Sequence, residues 1–191
     1  MNAEPSREWL DVAAFAAAAS HLQGSSPLSQ FPRLAQDCLT ENPAAVRVRW
    51  QASGLRLTLP GAGTLPALHL QAQAELPLAC QLCLDGMRTP VAVDRRFVFV
   101  ASEEVAARLD EQAEDVDVLT LAPRLDLLSL LEDELLMALP LAPRHQPACP
   151  QQAPMSAQSE DFEATTRINP FASLSALKTG GGKGDSSPSK A

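Results

Sequence analysis

A two-residue alternation of apolar and polar side chains is the feature that most constrains the fold of this chain. It is clearest over 68–76, where leucine and alanine alternate with histidine, glutamine and glutamate. Successive side chains of a β-strand point to opposite faces, so this pattern places the apolar residues together on one face. Because similar segments recur between positions 46 and 100, the sequence predicts an antiparallel sheet with one buried and one solvated face.

The same alternation indicates where the individual strands lie. A first hairpin is expected from strands over 46–51 and 55–59, with Ala52-Ser53-Gly54 as the turn between them. A short segment ending in glycine between two alternating runs is typical of such a turn. Further strands are expected over 68–76, 91–100 and 116–121.

Two segments predict helices that cover the apolar face of this sheet. Ser6–Gln23 is rich in alanine and begins with a serine that can cap it, and Asp126–Leu139 begins with an aspartate and carries a leucine stripe at helical spacing. Between the first helix and the sheet, Phe31 and Leu34 are expected in the core. The predicted fold class is α+β, with an antiparallel sheet that curls toward a barrel and is packed by an N-terminal and a C-terminal helix.

We expect one α+β domain over 5–149, followed by a flexible tail over 150–191. Proline, glutamine, serine and glycine dominate the tail, so we expect disorder because its apolar surface is too small to offset the entropy of ordering. One short apolar motif at 169–178 interrupts the tail. Its large apolar side chains recur at every third position and are Phe171, Leu174 and Leu177. On a helix they would form one edge for docking on a partner, and a chance apolar cluster is the alternative.

The chain is acidic, and its acidic residues are concentrated in one region. The net charge is −8, and 11 of the 23 Asp and Glu residues lie between Ala101 and Glu134. Such a chain is a poor general binder of polyanions, because phosphate affinity comes mainly from counterion release by Lys and Arg. The acidic region suits a basic protein partner, although a solvated surface is the simpler interpretation.

Five arginines on the predicted strands are candidates for contacts with RNA phosphates. They are Arg47, Arg49, Arg56, Arg95 and Arg96. If their strands are neighbours, they form one basic stripe, and the alternative is that they pair with exposed residues across strands. An aromatic platform for single-stranded RNA is not expected, because the chain has only 6 Phe and 2 Trp and several of these must be in the core.

Four metal-ligating residues fall in two pairs that are far apart in the sequence. Cys80 and Cys83 are separated by two residues between two predicted strands, and His145 and Cys149 are separated by three residues after the last helix. Two cysteines at the first spacing can both point at one tetrahedral metal ion from a tight turn. Two alternatives remain open: ordinary reduced thiols, and a redox-active pair formed by Cys80 and Cys83.

No arrangement in the sequence indicates an enzyme or a small-molecule substrate. Glycine-rich phosphate loops, G-x-S-x-G and H-E-x-x-H are all missing, and Glu132 and Glu134 are expected on the exposed face of the last helix without partners. No apolar run approaches the roughly 20 residues that span a bilayer. The Ala-rich run near the N-terminus follows acidic residues, where a signal peptide needs positive charge. We therefore expect a cytoplasmic protein without a membrane partner.

The order of several short segments resembles the YceD family, whose members are called large ribosomal RNA subunit accumulation proteins. The segments are Phe31-Pro32-Arg33-Leu34, Leu78-Ala79-Cys80-Gln81-Leu82-Cys83-Leu84, the region from Asp126 to His145, and Asn169-Pro170-Phe171-Ala172. The resemblance covers about 28–178, and the order of the segments is more specific than any one of them.

The resemblance implies a non-enzymatic ribosome biogenesis factor of bacteria and plastids. Its implied partner is large-subunit (23S) rRNA or a pre-ribosomal particle, and the alternative is an adaptor whose acidic region holds a basic ribosomal protein without touching RNA. Relatives often carry further cysteines after the last helix, where this chain has only His145 and Cys149. The resemblance and the spacing together predict one structural zinc held by Cys80, Cys83, His145 and Cys149.

Overall fold

The computed structural model describes residues 9–111, 113 and 115–150. The strands β1 to β7 are Trp9–Leu10, His21–Pro27, Arg47–Leu59, Gly63–Ala79, Gly86–Val100, Asp117–Thr120 and Leu125–Asp126. The helices α1 to α4 are Val12–Ala17, Pro32–Gln36, Glu103–Asp110 and Leu127–Met137, and single 3₁₀ turns occur at Leu28–Gln30 and Pro43–Ala45. The predicted tail and its motif at 169–178 lie outside the described residues.

A five-stranded sheet in the order β2-β3-β4-β5-β6 dominates the fold. Its first three pairings are antiparallel, and β6 joins parallel to β5 after the crossover through α3. A second, two-stranded sheet pairs β1 with β7. The α+β class is thus confirmed. The described strands do not close into a barrel, because β2 and β6 form the two edges of an open sheet.

The predicted hairpin over 46–59 is wrong, because β3 is one continuous strand. It pairs with β4 from Val48–Ala74 to Leu59–Gly63 without interruption. Gly54 lies inside β3 because α1 packs there: a Cβ atom at this position would lie 2.4 Å from the carbonyl oxygen of Phe15. The glycine that indicated a turn instead permits close packing of a helix on the strand.

The predicted helix over Ser6–Gln23 shortens to α1. Ser6 lies outside the described residues, and the N-cap is Asp11, whose carboxylate accepts a hydrogen bond from Ala14 N at 3.0 Å. Residues 21–23 belong to β2, an edge strand paired with β3. A Cβ atom at Gly24 of β2 would lie 2.6 Å from the Trp50 indole, so this glycine also serves packing. Pairing with β3 thus outweighs the weak helix preference of the sequence.

The main core lies between the inner face of the sheet and the helices α1, α2 and α4. Phe31 and Leu34 are completely buried in it, as predicted. The expected C-terminal helix is confirmed as α4, with the Asp126 carboxylate accepting from Ser129 N at 3.1 Å. Its buried stripe consists of Leu127, Leu128, Leu131 and Leu135. The inner face of the sheet is thereby closed to solvent.

A smaller core lies on the opposite, outer face at one end of the sheet. There α3 packs Ala106 and Leu109 against Val100 of β5 and Val118 of β6. The side chains of Phe97 and Phe99, which have the other parity on β5, belong to the main core. Helix α3 therefore covers the outer face only near the end of β5. No helix within the described ranges is long and apolar enough to span a membrane.

Candidate metal centre and the open sheet face

The turn between β4 and β5 presents two cysteine thiols from a tight backbone loop. Cys80 N donates to Asp85 O at 2.9 Å, and Leu84 N donates to Cys80 O at 2.8 Å. Leu84 has a φ of 63°, a left-handed conformation that allows the chain to reverse within a few residues. Leu82 N also lies 3.5 Å from Cys80 Sγ. This loop, residues 80–85, is called the knuckle below.

The loop after α4 brings the second pair of side chains to the knuckle. Gln81 N donates to Pro143 O at 2.8 Å, which joins the two loops through their backbones. Two residues further along the chain, His145 reaches Cys83, and the Nδ1 to Sγ distance is 3.5 Å. Cys149 reaches Cys80 with an Sγ to Sγ distance of 3.5 Å. The fold thus brings together segments 62 positions apart.

The four donor atoms of Cys80, Cys83, His145 and Cys149 all lie within 4.8 Å of one another. Ligands on a tetrahedral zinc ion with Zn–S distances of about 2.3 Å are separated by about 3.8 Å. The observed distances of 3.5 Å across two edges are close to this value. The cluster could therefore hold a metal ion, and three thiols with one imidazole are a donor set that suits zinc.

The thiols of Cys80 and Cys149 differ strongly in their pKa values. Burial opposes ionisation of Cys80, yet backbone N–H groups of Cys83, Leu82 and His145 lower its pKa to about 5. Burial and the neighbouring sulfurs of Cys80 and Cys83 raise the pKa of Cys149 to about 11. A thiolate on Cys80 thus disfavours a second negative charge beside it. A cation at the centre would remove this conflict, because metal ligands are deprotonated thiols.

The five predicted arginines do not form one stripe. Three of them lie on the outer face of the sheet, opposite α1, α2 and α4: Arg47, Arg49 and Arg96. Arg56 has the other parity because β3 continues without the predicted turn. Arg95 also has the other parity, and it pairs with Asp117 at 2.9 Å and Glu134 at 3.5 Å. Sheet geometry therefore separates the candidates into two groups.

The outer face of β2 to β5 that α3 leaves uncovered is called the open face. Strand register arranges its side chains in cross-strand rows. The rows are His21–Ser53–His69–Arg96, Gln23–Gln51–Gln71–Asp94 and Ser25–Arg49–Gln73–Ala92, followed by the pairs Pro27–Arg47, Glu75–Pro90 and Pro77–Arg88. A groove of about 680 Å³ lies over the middle rows. The open face is thus a concave surface of mostly polar side chains.

Hydrogen bonds within and between rows hold the side chains of the open face in place. The Asp94 carboxylate contacts His69 Nε2 at 2.7 Å and accepts from Gln71 Nε2 at 2.6 Å. These two hydrogen bonds, first that of His69, lower the pKa of Asp94. Gln71 in turn accepts from Gln51, and His21 lies 2.9 Å from Ser53 Oγ. The amide groups therefore have defined orientations before any partner arrives.

Two buried glutamates of α4 were predicted to be exposed and unpartnered, which is wrong. Glu132 Oε1 accepts from Arg33 N at 2.7 Å and from Leu34 N at 3.1 Å, so it caps the start of α2. Its Oε2 pairs with the Arg33 guanidinium at 3.0 Å. Glu134 is buried beside Arg95, and burial raises the pKa of Glu134 although Arg95 opposes the shift. The sequence signal for this cap was Pro32, because proline favours the first position of a helix. The first N–H groups of a helix need acceptors from outside it.

The acidic region divides into two parts with different surroundings. The residues near α4 are engaged within the fold, as caps or ion pairs: Asp117, Asp126, Glu132, Asp133 and Glu134. The residues on and after α3 are exposed: Glu103, Glu104, Asp110, Glu111 and Asp115. The acidic surface is therefore smaller than the sequence alone indicates, and it lies on α3 and the loop after it.

Comparison with known proteins identifies relatives of this chain. Residues 68–178 match the family described as Large ribosomal RNA subunit accumulation protein YceD. The protein of that name from Haemophilus influenzae is 32% identical over 111 residues, or 56% of this chain. The match spans 62% of that relative, less than two thirds of its length. No solved structure matches the chain.

The matched range contains three of the four segments that carried the resemblance, and Phe31-Pro32-Arg33-Leu34 lies before it. It includes the knuckle, α4, both residues of the loop after α4 and the positions of the motif at 169–178. It also exceeds half of the chain. The chain therefore belongs to the YceD family.

Proposed function

We propose that this chain is a non-enzymatic, cytoplasmic ribosome biogenesis factor. It promotes accumulation of large-subunit (23S) rRNA by binding pre-rRNA or an immature large subunit. Membership of the YceD family supports the process, since its members are named for large-subunit rRNA accumulation. The observation that carries the RNA contact is the open face, which presents arginines on a chain with a net charge of −8.

The charges of the open face favour a polyanion over the rest of the surface. Arg47, Arg49, Arg88 and Arg96 lie on it, with Glu75 and Asp94 as the opposing charges. Glu75 pairs with Arg88 at 4.0 Å. The Asp94 carboxylate is engaged by His69 and Gln71, so its oxygens are occupied within the face. Arginine contacts to phosphates position a protein on RNA and contribute most of the salt-dependent affinity.

A test of the RNA contact compares arginines on the two faces of the sheet. Arg49→Ala combined with Arg96→Ala should reduce co-sedimentation with precursor large subunits. The loss should be greatest at low salt and should shrink as salt rises, because the variant releases fewer counterions than the wild type. Arg56→Ala is the matched control, because this exposed arginine has the other parity on β3. Equal retention of all three proteins, or normal rRNA levels in a deletion strain, would contradict the proposal.

The metal cluster supports a structural part of the same proposal. Four protein ligands around one zinc ion would leave no position for a substrate or a catalytic water. When bound, the ion would supply cross-linking rather than chemistry, with Cys80 and Cys83 held on the knuckle and His145 and Cys149 held on the loop after α4. The knuckle connects β4 and β5. These two strands carry part of the open face on one side and contact α4 on the other, so the cross-link would stabilise the proposed binding surface.

Metal analysis of protein purified without chelators tests the structural zinc. The wild type should carry about one zinc per chain, and Cys83→Ser should lower both occupancy and melting temperature. Cys38→Ser is the control, since Cys38 is a buried thiol outside the cluster. Full zinc occupancy in the Cys83 variant would reject this assignment. A reversible disulfide between Cys80 and Cys83 in metal-free wild type would instead support the redox alternative.

A second candidate function rests on the exposed acids of α3. Glu103, Glu104, Asp110 and Glu111 form a surface that suits a basic ribosomal protein held before its incorporation. Purification of partners after RNase treatment separates the two functions. Loss of all ribosomal partners after RNase supports the RNA contact, and a basic ribosomal protein that remains bound supports the adaptor.

A further inference from the structure

The open face has the polar chemistry of an RNA-binding surface, but no described Phe or Trp ring lies on it for the bases of single-stranded RNA to stack on. We infer that it binds double-stranded RNA, by contacts to 2′-hydroxyls and phosphates across the minor groove. This inference rests on the proposed function and names the class of RNA that the face recognises. It follows from where the aromatic, amide and arginine side chains lie.

The Phe and Trp residues of the described ranges lie off the open face. Phe15, Phe31, Trp50, Phe97 and Phe99 are buried in the main core. The indole of Trp50 on β3 packs against Gly24 and donates to Ser26 Oγ at 3.1 Å, on the inner side of the sheet. The remaining one, Trp9, lies in the separate β1–β7 sheet. Unstacked bases would therefore find no Phe or Trp ring on this face. Its rings are the imidazoles of His21 and His69, which contact Ser53 and Asp94. Stacking on large aromatic rings is a main contribution to single-strand binding.

Amide side chains occupy the middle of the open face. Four glutamines lie there on three adjacent strands: Gln23, Gln51, Gln71 and Gln73. Neighbouring strands are about 4.8 Å apart, and residues on one face of a strand are about 6.8 Å apart. Each amide offers both a donor and an acceptor, which matches the 2′-hydroxyl that is both donor and acceptor. The glutamines therefore form a regular array suited to the sugars of an RNA duplex.

The arginines flank this array at opposite corners. Arg96 lies in the row beyond Asp94, whereas Arg49 and Arg47 lie in the rows on the other side of Gln51. Two basic groups separated by amides correspond to the two phosphate backbones that border a minor groove. The shallow minor groove of A-form RNA displays 2′-hydroxyls between those backbones. The concave groove over the middle rows would receive one ridge of the duplex.

Binding of defined nucleic acids to the full chain tests the inference. The probes are an RNA duplex of roughly 20 base pairs, each of its separated strands, and a DNA duplex of the same sequence. Fluorescence anisotropy should show the RNA duplex bound at least about tenfold more tightly than either strand or the DNA duplex. Gln51→Ala combined with Gln71→Ala should remove most of this preference, and Gln36→Ala on α2 is the control for an exposed glutamine elsewhere.

Each outcome decides the inference separately from the proposed function. Equal or tighter binding of the single strands overturns the inference and leaves RNA binding intact. Equal binding of the DNA duplex overturns the role of the 2′-hydroxyls and therefore the inference. Absence of all RNA binding, combined with co-sedimentation that survives RNase, overturns the inference together with the proposed RNA contact. Thermal melts confirm that the double glutamine variant is folded before affinities are compared.

Discussion

The two faces of the five-stranded sheet differ in composition and in exposure to solvent. The inner face of β3, β4 and β5 is covered by α1, α2 and α4, and its side chains are almost all apolar and buried. The outer face of the same strands carries glutamine, arginine, histidine and aspartate in aligned rows. Alternation along a strand thus lets a single set of backbone pairings build a core on one face and an ordered polar surface on the other. Stability and recognition can therefore be altered independently, by choosing residues of one parity or the other.

The largest effect should come from the inner face. Leu131 of α4 is completely buried, so Leu131→Ala should lower the free energy of unfolding by about 2–5 kcal/mol through lost transfer energy and a cavity. Met137 at the end of the same helix is 67% exposed, and Met137→Ala is the matched control. Denaturant titration measures both variants. Similar losses from both would mean that α4 is not docked as described.

A smaller loss should follow removal of a cap that joins two helices beneath the sheet. Glu132→Ala leaves the N–H groups of Arg33 and Leu34 without their acceptor, which should cost about 2 kcal/mol. Glu132→Gln retains an acceptor oxygen and should cost less than the alanine variant. Chemical denaturation with hydrogen exchange at residues 33–34 measures this. Equal stability of the alanine variant and the wild type would show that the cap contributes nothing.

A pH dependence should distinguish the buried acid of α4 from the acids of the open face. Burial raises the pKa of Glu134, so the folded state holds its proton more tightly than the unfolded chain. Its contribution to stability is therefore present at low pH and is lost as pH rises through the raised pKa. Glu134→Gln should be close to the wild type near pH 4 and more stable at pH 7, as measured by thermal melts at both values.

The exposed Glu75→Gln on the open face is the control and should change stability little at either pH. A Glu134→Gln variant that is less stable than the wild type at pH 7 would contradict the prediction. It would show that pairing with Arg95 outweighs the cost of burial.

The smallest effect on stability should come from the open face itself. Gln73→Ala removes a solvated amide that the core does not use, so the free energy of unfolding should change by less than about 0.5 kcal/mol. The same substitution lies within the surface assigned to RNA, so affinity should fall while stability does not. Urea titration and RNA anisotropy on one preparation measure the two quantities. A loss of stability comparable to that of Leu131→Ala would remove the distinction between the faces.

The parts of the fold with a strong periodic signal were predictable from sequence. Alternation at 68–76 and 91–100 indicated the central strands, and the Asp126 cap with its leucine stripe indicated α4. The spacing of Cys80 with Cys83 and of His145 with Cys149 suggested one cluster, which the fold brings together. These signals are local, because each depends on residues within one element or one turn.

The features that were missed depend on contacts between distant segments. Glycines such as Gly54 and Gly24 are typical of turns. Here Gly54 leaves room for the backbone of Phe15, and Gly24 leaves room for the indole of Trp50. Glu132 resembles a solvated helix residue, and its burial follows only from the position of α2. The unbroken β3 also changes the parity of Arg56, which moved it off the predicted stripe. The periodicity of a sequence does not reveal such contacts between residues that are distant along the chain.

The joining of the knuckle to the loop after α4 has a consequence for the order of events during synthesis. Cys83 and His145 are 62 positions apart, so an unfolded chain that gathered all four ligands around an ion would pay on the order of 4 kcal/mol in loop-closure entropy. Folding of the intervening strands and α4 brings the two pairs of ligands together before the ion binds, so this entropy is already offset. A nascent chain would therefore hold an ion only weakly through Cys80 and Cys83 until the ribosome has delivered α4 and the residues that follow it. Tight metal retention would then mark chains whose domain is complete, and truncated products would lose their ion to competing chelators.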